Sequence, residues 1–158
     1  MMDVALDGVR WWSLIILDGY SRTMLAGAIA PVEASWVTLM VLYTACLRYG
    51  APPHLISDAG GAFTSNEVTA VLKRLQIEPN PLVSPHGERY KNLMETHCNI
   101  QRRLYDYPFS LTTTPAELEQ AHQAFMTLYN TTAPQGLLAA QHDPPIPLRV
   151  LGEAKGRL

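Results

Sequence analysis

The chain has 158 residues, enough for one domain with its own hydrophobic core. Hydrophobic residues make up 47% and charged residues 16%, which excludes a disordered chain, and the net charge of −2 gives no overall basic signature of a nucleic-acid binder. The charge is uneven, however: residues 1–72 carry a net −3 and residues 73–103 a net +3, so a region suited to cations precedes one suited to phosphates.

Val4 and Ala5 begin an extended pattern that the turn signal Asp7-Gly8 breaks. The apolar run Trp11–Leu17 reads as a strand buried on both faces. Asp18-Gly19 is a hairpin signal, and Arg22–Ala30 reads as the returning strand, completing an antiparallel meander. Pro31 and Glu33 suit a helix start, and Trp36, Leu39, Met40, Tyr43 and Leu47 recur at helical spacing as its inner face. Arg48, Gly50 and Pro52-Pro53 end that helix. His54–Ser57 is a short strand leading to Asp58, and 59–61 is a loop of small residues. Ser65 caps a helix over about 66–76, with Val68, Val71, Leu72 and Leu75 inward. Pro79 and Pro81 restrict Ile77–Val83 to an edge strand. Residues 84–87 read as a loop before a long helix from about Tyr90 to Tyr105, which Pro108 ends. Thr114 with Glu117 opens a last helix running to about Tyr129.

Residues 1–132 therefore form a core domain and 133–158 a Pro-rich C-terminal extension. The element order predicts an α/β fold: one five-stranded mixed sheet flanked by helices, with the strand of Asp3 beside the strand ending at Asp58. No charged leader precedes an apolar run, and no run is long enough to span a bilayer. Cys46 and Cys98 lack metal-ligand spacing and read as reduced thiols of a cytoplasmic protein.

Three carboxylates stand out by position: Asp3 in the first strand, Asp58 at the end of the fourth, and Glu95 on the long helix. Hard cations such as Mg²⁺ take oxygen ligands and keep part of their shell for water or phosphate. Carboxylates converging on one sheet edge would suit a two-metal phosphoryl-transfer site. Asp18 reads instead as a hairpin residue, and His54 and His86 as polar surface. Trp11, Trp12 and Trp36 read as core. Gly60-Gly61 lacks the Lys-Ser/Thr of a nucleotide-binding loop.

Four segments carry a family resemblance. WWSLIILDGYSR (11–22) resembles the second and third strands of retroviral integrases and insertion-sequence transposases, and LISDAGGAF (55–63) the segment of their second catalytic aspartate. SPHGERYKNLMETHCNIQRRL (84–104) resembles their catalytic-glutamate helix, and LYNTTAPQGL (128–137) is similar to the Tyr-Asn stretch that follows the core in bacterial transposases. The resemblance spans almost the whole chain. It implies an RNase H-like fold and a DDE-type site in which Asp3, Asp58 and Glu95 are catalytic and hold Mg²⁺ or Mn²⁺. There are 36 residues between Asp58 and Glu95, against about 35 in the family pattern, so Glu88 is a rival for the glutamate. His97, Asn99, Arg102 and Arg103 match the polar, DNA-facing positions of the helix.

The leading expectation is a DNA transposase or integrase, a metal-dependent nuclease and strand transferase that acts on transposon ends and target DNA and self-associates. The alternative from another class is a catalytically silent DNA-binding or assembly fragment of a transposase, favoured by the short run ahead of Asp3. A ribonuclease H-type nuclease is a third reading, disfavoured by the Tyr129-Asn130 segment.

Overall fold

The computed structural model describes residues 2–6, 8–58, 60–82, 85–132 and 151, with the backbone alone for 2–5 and 85–89. Strands β1 (Met2–Leu6), β2 (Val9–Leu17) and β3 (Met24–Ala30) form the expected antiparallel meander in that order. Gly8 enters β2 from φ +74°, a conformation that suits a residue without a side chain. The β2–β3 connection is organised by Asp18. Its Oδ2 accepts hydrogen bonds from the Tyr20 and Ser21 amides, at 3.2 and 2.6 Å, and from Ser21 Oγ at 2.8 Å. An aspartate that satisfies its own turn in this way is a hairpin residue, as expected.

Helix α1 (Ser35–Tyr49) leads to β4 (His54–Ser57), the short α2 (Gly61–Thr64), α3 (Asn66–Arg74) and β5 (Glu78–Pro81). Helices α4 (Pro85–Ser110) and α5 (Pro115–Thr131) follow. Five strands do form, but not as the single predicted sheet. β1–β2–β3 is an antiparallel sheet and β4–β5 a separate parallel pair, with no hydrogen bond between β1 and β4 among the described residues. Met2 of β1 pairs with Ser13 and Leu6 with Val9. Pro79 and Pro81 fit β5 because the amides of Glu78 and Leu82 donate to the carbonyls of Pro53 and Ser57, both at 2.9 Å. Alternate residues face opposite sides of a strand, which turns the two prolines outward to the edge.

The core lies on both faces of the meander. On one face, Val37, Val41 and Ala45 of α1 pack against Leu14, Ala26, Ala28 and Ala30. Here the expected inner face of α1 is reversed. Trp36 (56% exposed), Met40, Tyr43 and Leu47 (71%) point outward, and only Leu39 of the predicted set is partly buried. The alanine-rich β3 explains this, since a small sheet surface admits a helix only on its own small side chains. Trp36 is accordingly not core, whereas Trp11 and Trp12 are half-buried. On the other face, Phe109, Leu118, Phe125 and Met126 of α4 and α5 enclose Leu6 and Met24. Close approach of α5 requires Gly27, where a Cβ would stand 2.8 Å from Met126 Sδ.

Helix α4 is longer than predicted at both ends. It begins at Pro85, a residue whose fixed φ suits a first turn, and it runs two residues past Pro108. The buried Phe109 anchors that last turn. Helix α5 begins as expected, the Glu117 amide donating to Thr114 Oγ1 at 3.2 Å. At its far end, Asn130 holds β3 like an extra strand residue: the Met24 amide donates to Oδ1, and Nδ2 donates to the Met24 carbonyl, both at 2.9 Å. Asn130→Ala leaves both backbone groups of the buried Met24 without partners. Its expected cost is about 2 kcal/mol, read as a lower urea midpoint with an unchanged slope.

Of the expected C-terminal extension, only Leu151 lies within the described residues, and it is buried. No described helix is long and apolar enough to cross a membrane. Cys46 and Cys98 are free thiols.

Candidate metal centre

Asp58 stands directly after β4, half-buried, where the strand gives way to small residues. The Gly60 amide donates to its Oδ1 at 3.3 Å. A Cβ on Gly60 would meet Asp58 Oδ1 at 3.1 Å and Glu33 Oε1 at 3.3 Å. Two carboxylates from distant segments therefore converge over one glycine. Glu33 comes there because it ends the β3–α1 connection, and α1 packs against the short α2 that begins at Gly61. Sequence reasoning assigned Glu33 to the helix start, yet α1 begins at Ser35 with Ala34 as its cap. No local signal distinguishes Glu33, since only the packing of the two helix starts brings it to Asp58.

Like charges held close repel, and a hard cation relieves that repulsion while taking oxygen ligands. The two carboxylates over Gly60 are oxygen donors of the kind such a cation takes. Among the described residues, they do not extend to a cluster of three metal-capable side chains. Asp3 lies in β1, paired with Trp12, and its side chain is outside the described residues. Glu95 lies on α4 with an exposed side chain. Its rival Glu88 occupies the first turns of the same helix, and its side chain is also outside the described set.

Asn99, Arg102 and Arg103 are exposed on α4. Glu95, Asn99 and Arg102 follow one another at spacings of four and three, which places them on one solvent face. His97 departs from its expected DNA-facing role. Only 5% exposed, it packs edge-on against Tyr129, with ring centroids 4.8 Å apart. Burial pushes its pKa down to about 4. Its imidazole is neutral and turned into the interior, away from the exposed face that carries Asn99 and Arg102. His54 is surface polar: its Nδ1 lies 3.2 Å from both Glu78 Oε2 and Asn80 Nδ2. His86 has no described side chain.

A cavity of about 340 Å³ separates β2, β4 and α4, with Asp58 on its wall. Its lining is apolar apart from a few groups, among them His97 and Gln101.

Helices on both faces of an antiparallel meander, a parallel β4–β5 pair and a carboxylate at the end of β4 define an RNase H-like α/β fold. The particular likeness is to retroviral integrase catalytic cores. The HTLV-2 integrase catalytic core domain, solved in complex with magnesium in a trimeric form, matches with a TM-score of 0.72 at 16% identity, covering 94% of this chain and 90% of that one. The catalytic core domain of BIV integrase matches at 0.69 and 19% identity, covering 99% and 94%. A chain of the simian T-cell lymphotropic virus intasome matches at 0.68 and 19%, covering 86% and 48%. At these identities the likeness establishes the fold: this chain has that of an integrase core. No protein-family profile and no curated protein sequence matches it.

Proposed function

We propose that this chain is the catalytic core of a metal-dependent polynucleotidyl transferase of DNA transposition or integration. The observation that carries this reading is the pair of carboxylates, Asp58 and Glu33, over Gly60 at the end of β4 in an integrase-core fold. Asp3, Asp58 and Glu95 would hold Mg²⁺ or Mn²⁺, with Glu33 beside Asp58. The metal would supply charge stabilisation at the scissile phosphate and activation of the attacking oxygen. Asp58, braced by the Gly60 amide, is pre-oriented for that task. Glu95 rides on a long helix anchored by His97, Gln101 and Phe109 in the core, a rigid mount for a ligand.

The exposed face of α4 would meet DNA through Asn99, Arg102 and Arg103. Replacing both arginines with alanine should weaken binding to every duplex alike and reduce the salt slope of log K by about 1 to 2. Fluorescence anisotropy across a salt series reads this, and an unchanged slope would make the two arginines ordinary surface.

The outward stripe of Trp36, Met40, Tyr43 and Leu47 supports self-association, because a soluble chain seldom leaves four large apolar side chains on one helix face uncovered. Sedimentation should show an oligomer that Tyr43→Glu disperses; identical sedimentation of the two would remove this face from the account.

The reading as a whole is tested with a matched DNA end, this chain and Mn²⁺. Metal-dependent cutting and joining supports it. DNA binding without any metal-dependent chemistry would transfer the lead to the silent assembly module.

A further inference from the structure

We infer that Tyr90 is a positioning residue: its ring, seated on Gly19, pins the leading half of α4 to the β2–β3 hairpin and so aims Glu95. A Cβ on Gly19 would stand 3.1 Å from Tyr90 Cε1 and 3.7 Å from its Cζ and Oη. The ring therefore takes the space that any side chain at position 19 would need. The turn itself does not ask for a glycine there. Its left-handed residue is Arg22, at φ +66°, and Gly19 is not one of the glycines of positive φ. An Asp-Gly turn ordinarily uses its glycine for such a conformation. Here the missing Cβ serves close approach instead.

The hairpin is a firm seat. Asp18 Oδ2 accepts from the amides of Tyr20 and Ser21 and from Ser21 Oγ. The Asp18 amide donates to the Thr23 carbonyl at 2.9 Å, and the Arg22 amide to the Asp18 carbonyl at 3.0 Å. Gly19 lies within this set of bonds, so its backbone is held on both sides.

On the helix, Tyr90 is half-buried, and Glu95, further along, is exposed. Buried His97 holds α4 just beyond Glu95. The turn ahead of Glu95 needs a hold of its own, because helix ends fray. In an α-helix the Glu95 amide bonds back to the carbonyl of Lys91, next to Tyr90. A helical side chain also leans toward the N-terminus and covers the turn before its own Cα. The carboxylate of Glu95 thus stands over the turn that Tyr90 secures. Misplacing a catalytic group by about 1 Å can cost on the order of 10²-fold in rate. That consequence rests on the proposed role of Glu95 as a metal ligand, whereas the anchor itself does not.

The test compares the full chain with Tyr90→Ala, Tyr90→Phe, Gly19→Ala and the Tyr90→Ala, Gly19→Ala double variant. Amide hydrogen exchange and Mn²⁺-dependent joining of a matched DNA end are read for each. Tyr90→Ala should speed exchange of the amides of 90–95 by about tenfold or more, with those of α5 unchanged. It should lower kcat by about tenfold or more and leave KM for DNA nearly unaltered. Tyr90→Phe keeps the ring and should match the parent in both readouts. Gly19→Ala displaces the ring by a few tenths of an ångström and should move both readouts the same way by less. In the Tyr90→Ala chain, Gly19→Ala should add nothing, because the atoms it would press on are gone. Should Tyr90→Ala fail to fold, the milder Gly19→Ala decides on the same readouts. Unchanged exchange at 90–95 in both single variants overturns the anchor. Faster exchange with an unaltered kcat overturns the positioning of Glu95. An additive effect of Gly19→Ala in the Tyr90→Ala chain removes the contact between ring and glycine as the cause. A parent chain that joins no DNA would sink the proposed chemistry instead, and exchange alone would still judge the anchor.

Discussion

Asp58→Asn and Glu95→Gln should each lower Mn²⁺-dependent DNA joining by on the order of 10²–10³-fold while leaving the melting temperature nearly unchanged. The two residues differ in setting. Asp58 is half-buried at a strand end and accepts from the Gly60 amide, whereas Glu95 is exposed on a helix. An asparagine keeps the acceptor for Gly60, and a glutamine at an exposed helix position costs little in folding. Lost activity with retained stability therefore isolates the charge. Glu33→Gln should produce a smaller loss, because Glu33 faces the same space as Asp58 from an exposed connection. Glu88→Gln is the discriminating control, and in this account it stays active. An inactive Glu88→Gln beside an active Glu95→Gln would mean that the glutamate is misassigned along α4.

Acid should begin to destabilise the protein before its carboxylates are neutralised. His97 and His122 are both buried, and burial pushes each pKa down to about 4. Unfolded, each titrates near about 6.5. Between these values the unfolded chain binds more protons than the folded one, so stability falls as pH drops from about 6.5 through 4. The neutral forms contribute fully above that window and are lost below it. The penalty is on the order of 3 kcal/mol for each ring, against a total stability of about 5–15 kcal/mol for an ordinary domain. The two rings are not equivalent. Ser13 Oγ and His122 Nε2 lie 2.9 Å apart in a buried hydrogen bond, while His97 is held by the rings of Tyr129 and Phe125. A double His97→Gln, His122→Gln protein should be less stable at pH 7 but show a flatter dependence between pH 6.5 and 4, by denaturant titration at each pH. A double variant as steep as the parent would place the acid sensitivity elsewhere.

Elements specified by local chemistry were legible from residues alone. Asp18 fixes its own turn, Thr114 caps α5, and Pro79 and Pro81 mark an edge strand, because each of those outcomes depends on a few neighbouring atoms. Elements decided by packing were not. Helix α1 is apolar on two sides, and only the small surface of β3 selects Val37, Val41 and Ala45 over Trp36, Met40, Tyr43 and Leu47. His97 lies between polar neighbours in sequence, and its burial follows from Tyr129 and Phe125 on another helix. Glu33 reaches Asp58 only because the starts of α1 and α2 meet, a contact that no spacing encodes. Asp58 itself was legible, as a carboxylate ending a short strand ahead of small residues.

Calorimetric titration of this chain with Mn²⁺ reads whether Asp58 anchors a divalent cation. Saturable binding to the unmutated chain is expected, sharply weakened by Asp58→Asn and partly weakened by Glu33→Gln. Binding of equal strength to the unmutated chain and to Asp58→Asn would contradict it.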